Sequence, residues 1–263
     1  MNRLRKYIVI GKVSFSNAVA YRAPVLSRFA FYALIIYVFI CLWRAIYQEG
    51  AVNGYDYAQM VWYLIMTEFV GFCCGTELLQ QINEEVKSGS IAYQIGRPVH
   101  YVFYQLATTA GRVPLNTAGY GILACVLGLI FAGPLHSFTF RELPPLILSV
   151  ALGILLHFFC IMLIGLSAFF LEDNLAVYLI YQKLGFMLGM FLPVEFLPAW
   201  LQPLAKSLPF SYVYWAPAKI FVNYSPALCL ELIPRQALWA AAAAAAALLC
   251  YRRGIRRLQV NGG

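Results

Sequence analysis

Residues 145–170 read PLILSVALGILLHFFCIMLIGLSAFF, without one Asp, Glu, Lys or Arg. Roughly 20 apolar residues of helix cross a hydrocarbon core about 30 Å thick, so this stretch is long enough to span a bilayer. The same criterion, applied outward from it, gives five further candidates at 28–47, 58–76, 112–132, 174–194 and 235–251. The last holds an unbroken run of alanines at 240–247. Ala is the best helix former, and its small side chain lets neighbouring helices approach closely. The composition agrees: 62% of the 263 residues are hydrophobic and 11% charged, with a mean hydropathy of +0.72. Soluble domains carry about 25% charged residues, so a water-soluble globule is excluded.

The net charge of +8 is unevenly placed. Arg3, Arg5, Lys6, Lys12, Arg22 and Arg28 precede any acid, and Arg252, Arg253, Arg256 and Arg257 cluster near the other end. Basic residues flanking spans face the cytoplasm. Both termini are therefore expected on the cytoplasmic side, which requires an even number of spans. Loop 48–57, with Glu49 and Asp56 and no Lys or Arg, is expected outside; the basic excess is an orientation signal and not a nucleic-acid footprint. The N-terminus lacks a long apolar run and cleavage signal and reads as retained. Residues 1–27 form an expected amphipathic helix on the membrane surface, with Leu4, Tyr7, Ile8, Gly11, Phe15, Ala18 and Val19 on one stripe. A plain basic flank is the alternative.

Two connections are unusual. In the inner segment 77–111, Glu77 to Lys87 reads as a helix ended by Gly89. Arg97-Pro98 then forces an extended piece, and a second helix is expected to start near Pro98. The result is a cytoplasmic elbow suited to docking a soluble partner; a solvated loop is the alternative. The outer segment 193–234 carries seven prolines and many aromatics, which chop it into pieces too short to span. Irregular backbone at membrane depth is tolerated only when packed in protein or lining a wet cavity. A re-entrant helical cap marked by Pro193, Pro198, Trp200, Pro209, Phe210 and Pro217 is expected, with Phe196, Trp200, Phe210, Tyr212, Tyr214 and Trp215 as interfacial anchors. A surface-lying aromatic loop is the other possibility.

Glu68 and Lys183 fall inside spans two and five. An intramembrane charge must find a partner or water, so a Glu68–Lys183 pair facing the bundle interior is expected, against Lys183 snorkelling to an interface. Of seven cysteines, six lie in apolar runs as small hydrophobes; Cys229 is expected to meet water. Spacing for a disulfide framework or zinc site is absent, and no metal or other cofactor is expected. G-x-x-x-x-G-K-[ST], H-E-x-x-H and G-x-S-x-G are all missing, which removes the phosphate loop and the commonest hydrolase routes. His100, His136 and His157 fall in different segments, and His157 reads as a hydrogen-bonded structural residue. The chain is not expected to be an enzyme.

With this order of parts, the sequence resembles the membrane subunit of type-2 ATP-binding-cassette exporters, specifically the small permeases of drug- and daunorubicin-resistance type. EEVKSGSIAYQIGRPVHYVFYQL is similar to that family's inner loop, and FLPVEFLPAWLQPLAKSLPFSYVYWAPAKIF to its outer motif. The resemblance implies an all-α polytopic permease domain over 28–263 in the bacterial cytoplasmic membrane. It implies that the elbow is a coupling helix, with Glu84, Glu85, Gly89, Arg97 and Pro98 at the docking region, on a separately encoded ATPase that binds ATP and Mg. It further implies a second permease subunit, identical or paralogous, and export of an amphipathic drug, lipid or lipid-linked substrate. A non-transporting membrane scaffold and a secondary transporter are the alternatives from other classes.

Overall fold

The computed structural model describes residues 3–20, 23–49, 54–75, 77–135, 139–171 and 173–261, and these residues hold helices and no strand. His136 lies outside them. The helices in chain order are α1 (Arg3–Ala20), α2 (Ala23–Ile46), α3 (Tyr57–Cys74), α4 (Glu77–Lys87), α5 (Ile91–Ile95), α6 (Tyr101–Phe131), α7 (Leu143–Leu166), α8 (Leu175–Gly185), α9 (Gln202–Ser207), α10 (Pro209–Val222) and α11 (Pro226–Asn261). Among the described residues, five segments are long and apolar enough to cross a membrane: Ser27–Ile46, Tyr57–Lys87, Tyr101–Phe131, Phe140–Phe169 and Pro226–Arg257. The expected fifth span is shorter than drawn. It occupies Leu175–Met190, with α8 running into a π-helical turn at Phe186–Met190. At 1.5 Å per residue that is about 24 Å, short of a hydrocarbon core.

The bundle has two ends. At one, the elbow meets both chain ends: Tyr101 of α6 stacks on Tyr251 of α11 with centroids 5.8 Å apart, and Lys6 of α1 donates to the Pro98 carbonyl. At the far end, Asp56 and Gln59 form a reciprocal capping box on α3, with Gln59 N 2.6 Å from Asp56 Oδ1 and Asp56 N 3.0 Å from Gln59 Oε1. Between the ends, α3 is the most buried of the spans among the described residues, and α7 packs on α11, α10 and α4. Gln236 of α11 joins three helices there. It accepts from Ser149 Oγ at 2.7 Å and donates to the Ser149 and Tyr212 carbonyls.

Several expectations change. The stripe on α1 is divided: Tyr7, Gly11 and Ala18 turn toward α6, whereas Leu4, Ile8 and Phe15 are exposed. Ser14 Oγ donates to the Thr108 carbonyl at 2.7 Å, and a Cβ on Gly111 would collide with the Gly11 carbonyl. This small-residue crossing ties α1 along the elbow-end extension of α6. The helix expected near Pro98 begins at Tyr101 and runs on as α6, with α5 as an extra turn between it and α4. The outer segment ends at residue 225, because Pro226 opens α11 and Pro234 lies within that helix; Pro at a first helical position leaves no hydrogen bond unmade. Cys229 is buried, while Cys41 and Cys125 are exposed.

Candidate functional site

The elbow is built from α4, α5 and the start of α6. Gly89 adopts φ +73°, the left-handed conformation that glycine takes without strain, and its N–H closes on the Val86 carbonyl at 3.2 Å. One face of α4 is apolar and packs Leu79 and Ile82 into the bundle; the other presents Glu84 and Lys87 outward. Gly89, Arg97 and Pro98 are exposed as well. Glu85 differs from its neighbour. Its carboxylate accepts from Tyr101 OH at 2.6 Å and Gln81 Nε2 at 2.8 Å, so it fastens α4 to the buried start of α6.

Two more links fix the elbow to the spans. Glu77 bridges Arg28 of α2, at 2.8 Å, and Arg112 of α6. Asn83 and Asn174 exchange amide hydrogen bonds at 2.8 and 2.9 Å, and Asn174 also donates to the Ile164 carbonyl. An outward polar face is thereby coupled to α2, α6 and α7. The contacts made by Glu77 and Asn83 follow no local sequence period, since each joins residues at least 35 positions apart in the chain.

A cavity of about 590 Å³ opens between α2, α3, α7, α8 and α10. Apolar groups such as Phe31, Phe72 and Phe186 share its wall with His157, Gln182 and Lys183. His157 Nδ1 lies 2.7 Å from Tyr181 OH and 3.3 Å from Tyr214 OH. Lys183 is exposed, with no ion-pair or hydrogen-bond partner among the described residues. α8 starts at Leu175, which places Lys183 at the middle of its helical segment, about 11 Å along the axis from either end. Glu68 sits in α3 at 4% exposure. The ion pairs among the described residues join Glu77, Glu195 and Glu231 to arginines or Lys219; Glu68 and Lys183 are not joined.

The Pro-rich segment forms a hairpin at the far end. Gln202, opening α9, donates to the Glu195 and Leu197 carbonyls. Ser211, in the first turn of α10, reaches the Leu188 carbonyl at 2.9 Å, and Asn223 past the end of α10 meets Gln59. Tyr212, Tyr214 and Trp215 are buried and not interfacial as expected; Trp200 is 76% exposed. Pro193 and Pro217 are buried, Pro209 and Phe210 half-buried, and Pro198 exposed. The hairpin also holds an ion pair that the sequence did not single out. Lys219 Nζ lies 3.0 Å from Glu195 Oε1 and 2.7 Å from Tyr55 OH. Tyr55 OH and Trp215 Nε1 each donate to Glu195 Oε2 at 3.2 Å. Burial acts to raise the Glu195 pKa, but the Lys219 ammonium and these hydrogen bonds outweigh it and hold the carboxyl below its ordinary value.

No cluster of three metal-ligating side chains occurs among the described residues. A search of curated proteins finds no match. The sequence model of a family described as ABC-2 family transporter protein matches residues 31–262, from within α2 to the end of α11. With that match over an all-α, multi-pass architecture, the chain belongs to the ABC-2 family transporter proteins and is a membrane permease component of an ABC-type transporter.

Proposed function

We propose that the chain is one of two permease subunits, identical or paralogous, of an ABC exporter in the bacterial cytoplasmic membrane. A separately encoded subunit binds and hydrolyses ATP, docks on the elbow near Glu84, Gly89, Arg97 and Pro98, and drives an amphipathic drug, lipid or lipid-linked substrate outward. Both termini then face the cytoplasm, α1 lies at that surface, and the α9–α10 hairpin is a re-entrant cap on the outer side. The observation that carries this reading is the double attachment of the elbow, exposed on one face and fastened through Glu77 to Arg28 and Arg112 on the other. A force applied to α4 reaches two spans through one carboxylate.

The cavity at Lys183 supplies the matching pathway wall, because a mid-depth ammonium requires water or a counter-ion. The test is transport and ATP hydrolysis measured together in proteoliposomes of the purified complex. Glu84→Ala is expected to leave insertion intact while hydrolysis persists with transport at least tenfold lower. Unchanged coupled transport contradicts the assignment of the elbow. A non-transporting scaffold predicts that no ATP-binding subunit accompanies the chain.

A further inference from the structure

We propose that the α2–α3–α7–α8–α10 cavity binds the anionic head of an amphipath through Lys183 and Gln182, with its apolar body along the aromatic wall. This rests on the reading of the cavity as the transport pathway and names the chemistry of what enters it. Among the described residues, the charged ones lining the cavity are Arg28 and Lys183, with no Asp or Glu. At the elbow end, Glu77 is shared by Arg28 and Arg112, so one carboxylate stands against two guanidiniums and the group sums to +1. Lys183 adds a second positive centre at mid-depth. Gln182 Nε2 donates to Tyr178 OH at 2.7 Å, which holds an amide beside the ammonium with its second N–H still able to donate to an anion.

Phe31, Ile35, Phe72, Phe186 and Met190 complete the wall. The volume of about 590 Å³ falls within the range of small-molecule sites, where an apolar lining with a few polar groups sets orientation. A cationic amphipath would meet the Lys183 ammonium and the net positive Arg28–Glu77–Arg112 group, and a neutral one would leave Lys183 without a partner among the described residues. An anion resolves both, because charge-assisted hydrogen bonds to an ammonium are about twice as strong as neutral ones. A fatty-acid-like or sulfonated small molecule and an anionic lipid share this chemistry.

The experiment uses the full chain, purified with its accompanying ATP-binding subunit and placed in phosphatidylcholine nanodiscs. Three dansyl-tagged dodecyl probes with identical tails carry a sulfonate, a hydroxyl or a trimethylammonium head. The sulfonate is expected to bind saturably, with Kd at least tenfold below the other two. Lys183→Gln should bring its Kd to that of the alcohol, and Lys183→Arg should preserve it. Equal affinities for the three heads, or an unchanged sulfonate Kd in Lys183→Gln, overturn the proposal. Adding phosphatidylglycerol separates the sources: competition with the sulfonate assigns the head to a lipid, and no competition to a non-lipid amphipath, both in support. Lys183→Cys, in a chain whose other cysteines are alanine, distinguishes the two levels. Reaction with a membrane-impermeant thiol reagent keeps the pathway reading even where head selectivity fails; no reaction removes the pathway reading and this inference with it.

Discussion

Lys219 and Glu195 hold the α9–α10 hairpin to the far end of the bundle, and their pair can be measured as a thermodynamic cycle. The side chains are 14% and 28% exposed, between the surface regime, where pairs contribute under about 1 kcal/mol, and the buried one, where removing one partner costs about 3–5 kcal/mol. Glu195→Gln leaves the ammonium facing an amide and is expected to destabilise by about 2–3 kcal/mol. Lys219→Met keeps the carboxylate and its two neutral donors, Tyr55 and Trp215, each worth about 1 kcal/mol, so its expected cost is smaller, about 1–2 kcal/mol. The double variant should fall short of the sum by about 1–2 kcal/mol, since it leaves no orphaned charge. The assay is SDS titration of the chain in mixed micelles, followed by tryptophan fluorescence. Additivity within about 0.5 kcal/mol refutes the pairing.

Because Glu195 has a folded-state pKa below its ordinary 4.5, its stabilisation is complete above that value. It is lost as pH falls through the depressed one, so wild type should lose more stability than Glu195→Gln in an SDS titration repeated below pH 4.5. On the elbow, Glu85→Ala strips Tyr101 OH of a buried acceptor and is expected to cost about 1–3 kcal/mol, whereas exposed Glu84→Ala stays within about 0.5 kcal/mol; equal costs in the same titration would contradict the division of roles. Gly111→Ala drives a methyl into the Gly11 carbonyl, an overpacking of about 1–3 kcal/mol. It should release α1 to trypsin at Arg5, Lys6 and Lys12 while α2 onward stays intact; an uncleaved α1 contradicts the crossing.

The spans and their punctuation were legible because length, apolarity, glycine and proline are local signals. Residues 145–170 needed no neighbours to be recognised, and Gly89 terminates α4 where the chain has to reverse. What the sequence left open is which way an apolar or aromatic side chain turns. Lipid and protein interior are both apolar, so hydropathy does not separate them. Tyr212, Tyr214 and Trp215 therefore read as interfacial anchors although they lie inside the bundle. Cys229 reads as aqueous from hydropathy alone because the expected span begins at 235, nine residues after α11 itself starts at Pro226. Glu195 and Lys219 escaped notice for a related reason: they sit 24 positions apart in a proline-broken segment without a period, and only the hairpin brings them together. Glu84 and Glu85 are adjacent and chemically alike, and only the position of Tyr101 makes one a strut and leaves the other outward.

The most direct test of the account is where the ATP-binding subunit touches. A chain with Glu84→Cys as its only cysteine, expressed with the ATP-binding subunit that accompanies it, is treated with a short bifunctional thiol–amine crosslinker in native membranes, with Leu230→Cys at the far end as control. The account predicts a covalent adduct between Glu84→Cys and the ATP-binding subunit and none from Leu230→Cys. An adduct from Leu230→Cys, or labelling of Glu84→Cys by an impermeant reagent added outside intact cells, would contradict it.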